Sequence, residues 1–505
     1  MNTEKPTKQK NRLGRNALSM GVGVGLSRIT GLLRVQMFAF LFGSSFAMDA
    51  FVVAFRIPNF LRDLLAENVT SSALVPVYTS VREKEGKEEA ANFAGAALAL
   101  FITIGSLMCV LGILFAPQII KMVAPGFPSN TELFSLTVTL TRILFPFIVL
   151  ISIAAFFQSI QNAEGRFFVP AVSSAVLNLV FMGTGWFLSK NLETPIIGMA
   201  IGALLGGVAS ILVLFPGYYR SLSGKVGVFA FWKFRQIKEL LFMLGPLVIG
   251  VAAVNINLLV NTIAASFAEP GAMAFLNYAY RVMHLPLGLI AVTLSTAAIP
   301  LLAKAHASGG HDEYVKSLGQ ALSYCILLAF PATLGLGYLR SDIVGVLFNY
   351  GSFTSSDLTN TSLALLAYTV GIPALALNRI FSASYYSRKE TKAPVAIGAI
   401  GVTINIVLNV YVIIQGMGFA AIATATSVAG WTQTIIYVFF LASKYGRPLF
   451  GSLVTPVLRC VIGSILMLLA LWGVSSLGIE NRLIRVVAEI LAGAAAYGLV
   501  AIRKP

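Results

Sequence analysis

Residues 458–477 read LRCVIGSILMLLALWGVSSL, with one arginine near the start and no other charge. A run of roughly 20 mostly apolar residues is what a helix needs to cross the hydrocarbon of a bilayer. A barrel strand would show a short alternating pattern instead. Inside hydrocarbon the backbone must close its hydrogen bonds within the element, so the stretch predicts a transmembrane helix. Similar stretches recur along all 505 residues, and fourteen spans account for them. The first two fall at 17–42 and 49–80, the seventh and eighth at 237–267 and 273–304, the last two at 455–477 and 483–501. The expected class is an all-α polytopic membrane protein.

Composition agrees with this reading. The set AVILMFWYC supplies 57% of the residues and charged side chains 11%, against roughly 25% charged in soluble domains. A water-soluble enzyme and a disordered chain are both excluded. The net charge of +16 would suit a nucleic-acid partner, but its placement points elsewhere. Twenty-three Lys and Arg fall in the amino-terminal tail and alternate loops, and only Lys121, Lys190, Arg340 and Arg482 in the loops between. Under the positive-inside rule both termini lie in the cytoplasm and the number of spans is even. Residues 1–16, with Lys5, Lys8, Lys10, Arg12 and Arg15, lack the apolar core of a signal peptide and are expected as an uncleaved cytoplasmic tail. No nucleic-acid partner is expected. Cys109, Cys325 and Cys460 each lie in apolar stretches and are expected buried and unpaired. His284, His306 and His311 have no metal-binding spacing.

The chain repeats itself at an offset of 224. Ala50-Phe51 matches Ala274-Phe275, Pro76 matches Pro300, Phe157 matches Phe381 and Pro170 matches Pro394; with a one-residue gap Ala54-Phe55-Arg56 also matches Ala279-Tyr280-Arg281. Six helices per unit is an even number, so both units share one orientation, as in transporters built from parallel repeats. The expected organisation is the tail 1–16, an amino-terminal lobe 17–220 with spans 1–6, a carboxy-terminal lobe 221–445 with spans 7–12, and 446–505 with two further spans outside the repeat.

Charges within spans concentrate at the start. Arg28, Arg34, Arg56, Arg62, Asp49, Asp63 and Glu67 all fall in spans 1 and 2, and Arg281 in span 8. Five arginines facing lipid would cost on the order of 15 kcal/mol on insertion scales. They are therefore expected to line a hydrated cavity, where their excess over local acids suits a phosphate or diphosphate better than a metal ion. Arg142 and Arg379 also lie within spans; Arg459 and Arg485, near span ends, are expected to snorkel. Span 2, with Pro58 and the polar run 62–72, is expected to be kinked. In span 1, Gly21, Gly23, Gly25 and Gly31 permit close helix approach. In the last two spans Gly463, Gly493 and Ala494 to Ala496 are expected to leave room for an acyl or prenyl chain.

The run Ser27-Arg28-Ile29-Thr30-Gly31-Leu32-Leu33-Arg34, then Asp49-Ala50-Phe51, Phe55-Arg56-Ile57-Pro58-Asn59-Phe60-Leu61-Arg62 and Ala66-Glu67 before Leu74-Val75-Pro76, resembles the signature of the MurJ (MviN) lipid II flippases. So do Asn162-Ala163-Glu164-Gly165-Arg166-Phe167, Tyr278-Ala279-Tyr280-Arg281, Tyr350-Gly351-Ser352-Phe353-Thr354 and Tyr385 through Pro394. The resemblance implies the MATE-like fold of the MOP superfamily, two six-helix lobes around a central cavity, with two extra helices forming a groove for a polyprenyl tail. It implies diphosphate binding by Arg28, Arg34 and Arg281, with Arg56, Asn59 and Arg62 as further substrate positions and Asp49 and Glu67 as coupling or gating positions. The substrate implied is lipid II, undecaprenyl-diphosphate-linked disaccharide-pentapeptide, moved across the bacterial cytoplasmic membrane for peptidoglycan synthesis beside membrane lipids and cell-wall or division proteins.

Departures from the pattern are Val35 and Asn68, where many members have an acid and a glycine, and Asp63, where a second base is common. Some members are proposed to bind sodium. Here Asn257, Asn405, Asn409 and Thr426, with Asn255 and Asn261, offer oxygens but no carboxylate, a poor cation set. No resident cofactor is expected, and the drive is the membrane potential or a coupling cation, sodium or proton. The nearest alternatives are a MATE-type antiporter, which should carry cavity carboxylates, and a flippase for another polyprenyl-linked glycan. A membrane glycosyltransferase would need paired acids that the sequence lacks, and a division scaffold would leave the arginines unexplained.

Overall fold

The computed structural model describes residues 6–65, 68–222, 235–308 and 310–501. Every element among them is a helix. In chain order these are α1 (Pro6–Phe42), α2 (Phe46–Leu65), α3 (Asn68–Lys84), α4 (Lys87–Leu114), α5 (Ala116–Val123), α6 (Glu132–Leu144), α7 (Pro146–Ala163), α8 (Phe168–Ser189), α9 (Pro195–Ser221) and α10 (Arg235–Ala265). There follow α11 (Ala272–Leu287), a π-helical turn (Gly288–Val292), α12 (Thr293–Ala307), α13 (His311–Tyr338), α14 (Arg340–Phe348), α15 (Ser355–Thr369), α16 (Ile372–Tyr386), α17 (Lys392–Ile414), α18 (Phe419–Ser475) and α19 (Arg482–Ala501). At Gly446 α18 turns a corner with φ 48°, ψ −139°, a left-handed φ that glycine adopts without strain. The corner separates two spans, Phe419–Gly446 and Pro448–Ser475.

The repeat extends to whole elements. Adding 224 to the bounds of α4 gives those of α13, Lys87–Leu114 against His311–Tyr338. The same shift superposes the short α5 on α14, α6 and α7 on α15 and α16, α8 on α17, and α9 on the first span of α18, each within one or two residues. Even the helix starts are chemically alike. Thr131 caps α6 by accepting from Phe134 N, and Thr354 caps α15 by accepting from Asp357 N in a reciprocal capping box. The π-helical turn between α11 and α12 corresponds to the junction of α2 and α3.

Twelve helices among the described residues are long and apolar enough to cross a membrane, against the fourteen expected. The difference lies at spans 2 and 7. Span 2 is shared between α2 and α3, and α2 alone carries Asp49, Arg56, Arg62 and Asp63 as well as Pro58. Charge at that density lowers hydropathy below that of a lipid-facing helix. Span 7 coincides with α10, of which Asn255–Ala265 stands as a shorter apolar helix.

Contacts divide the chain into two units, 1–263 and 264–505. In the first, one buried cluster joins Leu74 and Tyr78 of α3, Phe93 and Phe101 of α4, Phe156 of α7, Tyr218 of α9 and Leu240 of α10. Most of α10, the first helix of the second repeat, thereby groups with the first unit. Without water to drive association inside a bilayer, close backbone approach matters, and α8 and α9 achieve it through glycine. A Cβ on Gly202 would stand 2.8 Å from Gly185 Cα, on Gly198 2.5 Å from Ser189 N, and on Gly206 2.7 Å from Leu177 O. In the second unit α14, the second span of α18 and α19 meet at Ile343, Met467, Leu471 and Tyr497, beside Leu339 at the α13–α14 junction.

That last contact corrects one expectation. The space beside Gly463 is taken by the Tyr497 ring, 2.9 Å from an added Cβ, and that beside Gly493 by Leu471 and Met467. These glycines let the two helices close on each other. The apolar surface left outward consists of side chains such as Val461, Ile465, Leu469 and Leu491. The three cysteines are buried and unpaired, as expected.

Candidate functional site

In α1 the positions Gly23, Ser27, Thr30, Arg34 and Phe38 recur every three or four residues, a stripe along one side of the helix. This stripe meets α8. A Cβ on Gly23 would overlap that of Ala171 at 2.3 Å, and Asn178 Nδ2 donates to Thr30 Oγ1 at 3.2 Å and Ser27 O at 3.4 Å. Arg34 lies over the Phe181 ring, 5.0 Å from its centroid, and Phe38 packs edge-on against the same ring. The π face thus holds the guanidinium by a cation–π contact. Arg28 is exposed and lies off the stripe. Six residues at about 100° each set it roughly 240° around the axis from Arg34, about 9 Å along it. The two arginines therefore serve different sides of one rigid helix.

In α2 residues 48–54 are buried and most of the following ones are half-open, so that Arg56, Asn59 and Arg62 lie on the accessible part. Asp49 is 4% exposed in the first turn, where the helix dipole favours a carboxylate. Asn59 Oδ1 is buried and accepts no hydrogen bond among the described residues. Arg62 pairs with its neighbour Asp63 at 3.0 Å, so the departure from the family pattern at Asp63 tempers the charge of Arg62. Glu67 lies outside the described residues.

In the second unit Arg281 is half-buried on α11, its Nε donating to Asn277 Oδ1 at 3.3 Å. Asn405 and Asn409 are fully buried one turn apart on α17, and Asn409 Nδ2 donates to both Asn405 O, at 2.8 Å, and Asn405 Oδ1, at 3.2 Å. Thr426 Oγ1 points back to Ile422 O. Asn257 belongs to the first unit, with a buried Oδ1 that makes no hydrogen bond among the described residues. The oxygens are neutral and that of Asn405 is already engaged, which fits a cation poorly. No three His, Cys, Asp or Glu among the described residues gather as metal ligands.

Arg485 lies in the first turn of α19. It pairs with Asp342 of α14, which Arg482 also approaches at 3.6 Å, and this fastens α19 to the second unit together with Tyr497 OH donating to Leu327 O. The quoted motif at Glu164 has a structural part as well. Glu164 accepts from Tyr78 OH at 2.8 Å and pairs with Arg82 at 2.7 Å, tying the end of α3 to the end of α7. At the equivalent position of the second repeat stands Arg388, buried among Tyr314, Tyr385 and Tyr445 and donating to the Tyr445 hydroxyl at 2.6 Å. The repeat keeps the position and reverses the charge. Arg379, named among the span charges but assigned no part, is exposed on α16, which packs against α11. The polar residue three places on, Ser382, was the available signal.

Twelve candidate spans, an element-by-element repeat and arginines on half-open helix faces define a polytopic membrane transporter. Its fold is that of the MOP superfamily. A multidrug-resistance MATE family transporter in an inward-facing conformation matches over 83% of this chain and 95% of its own, with TM-score 0.70 at 14% identity. The profile described as "Lipid II flippase MurJ" matches residues 38–490, and the chain belongs to that family. Its relatives include the lipid II flippase MurJ of Burkholderia cenocepacia, 33% identical over 422 residues, 83% of this chain and 82% of that protein. The probable lipid II flippase MurJ of Vibrio cholerae is 33% identical over 431 residues, 83% of this chain and 81% of that protein. A solved lipid II flippase MurJ in an inward closed conformation covers 95% of this chain and 98% of its own, with TM-score 0.78 at 29% identity.

Proposed function

We propose that this protein is a lipid II flippase, carrying the undecaprenyl-diphosphate-linked peptidoglycan precursor from the inner to the outer leaflet of the bacterial cytoplasmic membrane by alternating access. The observation that carries the reading is family membership over nearly the whole chain, joined to cationic rather than acidic half-open faces. Arg28, Arg34 and Arg281 bind the diphosphate. Arg56, Asn59 and Arg62 guide the substrate in, and Asp49 and Glu67 act in coupling. The activity is transport, with no bond made or broken. Both termini lie in the cytoplasm, and the prenyl tail stays in lipid along Pro448–Ser475 and Arg482–Ala501. With only neutral oxygens at Asn405 and Asn409, the membrane potential is the favoured drive, since one charge moved through 100 mV is worth roughly 2.3 kcal/mol. An antiporter of cations would want carboxylates where arginines stand. The deciding experiment depletes the protein in its host and assays which leaflet holds lipid II. Accumulation in the inner leaflet, reversed by re-expression, is expected; an unchanged distribution in depleted cells sinks the reading.

A further inference from the structure

Arg34 is half-buried on α1, and the helices behind it hold its seat in place. The ring of Phe181 on α8, 5.0 Å from the guanidinium carbon, is 1% exposed. Two glycines of α9 close on the backbone of that residue. A Cβ on Gly206 would stand 3.3 Å from Phe181 Cβ, and one on Gly202 2.8 Å from Phe181 O. Phe38 of α1 meets the same ring edge-on, with centroids 5.9 Å apart. A ring enclosed by α9 and α1 together keeps one rotamer, as side chains do in close-packed interiors. The register of α1 is fixed beside it. Asn178, three residues before Phe181, donates to Thr30 Oγ1 and Ser27 O, and Thr30 precedes Arg34 by one turn. The second repeat packs α17 on α18 without these side chains, because a shift of 224 places Val402 at Asn178 and Asn405 at Phe181. The packing common to both repeats therefore does not require the ring.

We propose that Phe181 is a positioning residue for the substrate: its π face sets the orientation in which Arg34 meets the diphosphate, and Gly202 and Gly206 keep the ring where it does so. This rests on the flippase reading and deepens it, adding to the arginine the group that aims it. A π face attracts a guanidinium electrostatically, and a side chain ordered in advance loses less entropy when an anion arrives. Arginine, with about 2 kcal/mol of rotamer entropy, gains most from such ordering.

The test uses the full-length protein in phosphatidylcholine nanodiscs and measures binding of a water-soluble short-chain prenyl diphosphate. Position 181 is filled in turn by phenylalanine carrying one, two or three ring fluorines. Each fluorine weakens the negative face of the ring while changing its shape little. Affinity should fall stepwise along the series, by roughly threefold to tenfold at its end, the worth of a half-buried cation–π contact. A ring that only fills space gives no such gradient. In R34Q, which keeps most of the side chain without its charge, the gradient should vanish, since the two residues act as one unit. F181L should weaken binding at least as much as the last of the series; should it melt early, the fluorinated proteins, which keep the ring, decide. Flat affinity along the series, tighter binding as the face weakens, or a gradient that persists in R34Q would each overturn the positioning role and leave the flippase reading standing. Failure of well-folded wild type to bind the diphosphate would instead overturn the reading beneath it.

Discussion

At the scale of single residues, the charges of α1, α2 and α11 are held in ways that predict different outcomes. Arg34 rests on an aromatic face, and Arg28 is exposed. Replacing Arg28, Arg34 or Arg281 by alanine should lower transport about tenfold to a hundredfold, the worth of a charge-assisted hydrogen bond to phosphate. Each variant should still reach the membrane. Growth rescue of a depleted strain by all three, at normal protein levels, would move the diphosphate contacts elsewhere. Arg62 differs because Asp63 shares its charge. Asp63→Asn should therefore tighten binding of a diphosphate analogue a few-fold at low salt, an effect that fades as salt screens the freed charge; equal affinity in both proteins at low salt would show that the pair has no bearing on the substrate.

Elements are held together by glycine seams as much as by side chains. Gly202→Leu would drive a Cβ to 2.8 Å from the Gly185 backbone, where neither helix can yield by rotating a side chain. The expected cost is about 1 to 3 kcal/mol, typical of overpacking, read as a lower thermal midpoint in detergent; an unchanged midpoint would mean that α8 and α9 separate more easily than their packing implies. Gly463→Leu faces the movable Tyr497 ring instead, so its penalty should be smaller. By contrast Gly21 and Gly25 have nothing within 4 Å, and alanine there should be nearly neutral for stability.

For the whole molecule, the distribution of Lys and Arg commits to a topology. Tags at Gly310 and at the carboxy terminus should be cytoplasmic and a tag beside Glu269-Pro270 periplasmic. Accessibility labelling in intact cells reads this directly, and an external carboxy terminus would undo the 6+6+2 arrangement. The repeat sharpens the expectation, since α4 through α9 recur 224 residues later almost bound for bound. The count is less certain to be legible from hydropathy, because α2 is a helix whose charges conceal its place in the repeat.

The sequence by itself determined what local physics controls. In hydrocarbon a backbone must close its hydrogen bonds within the helix, so hydropathy alone marks Phe168–Ser189 or Pro448–Ser475 as helices. Four short identities at one offset sufficed to announce a repeat that the elements then follow almost bound for bound. The motifs around Arg28, Asp49 and Arg281 were likewise enough to mark the family. Partners across helices were decided only by the tertiary structure. Asp342 meets Arg485 across 143 positions of sequence, Arg388 is enclosed by tyrosines from three helices, and Gly463 receives Tyr497 rather than leaving a gap. Neither spacing nor composition states which side of one helix turns toward which side of another, because many pairings bury similar apolar area and only the complete packing selects among them.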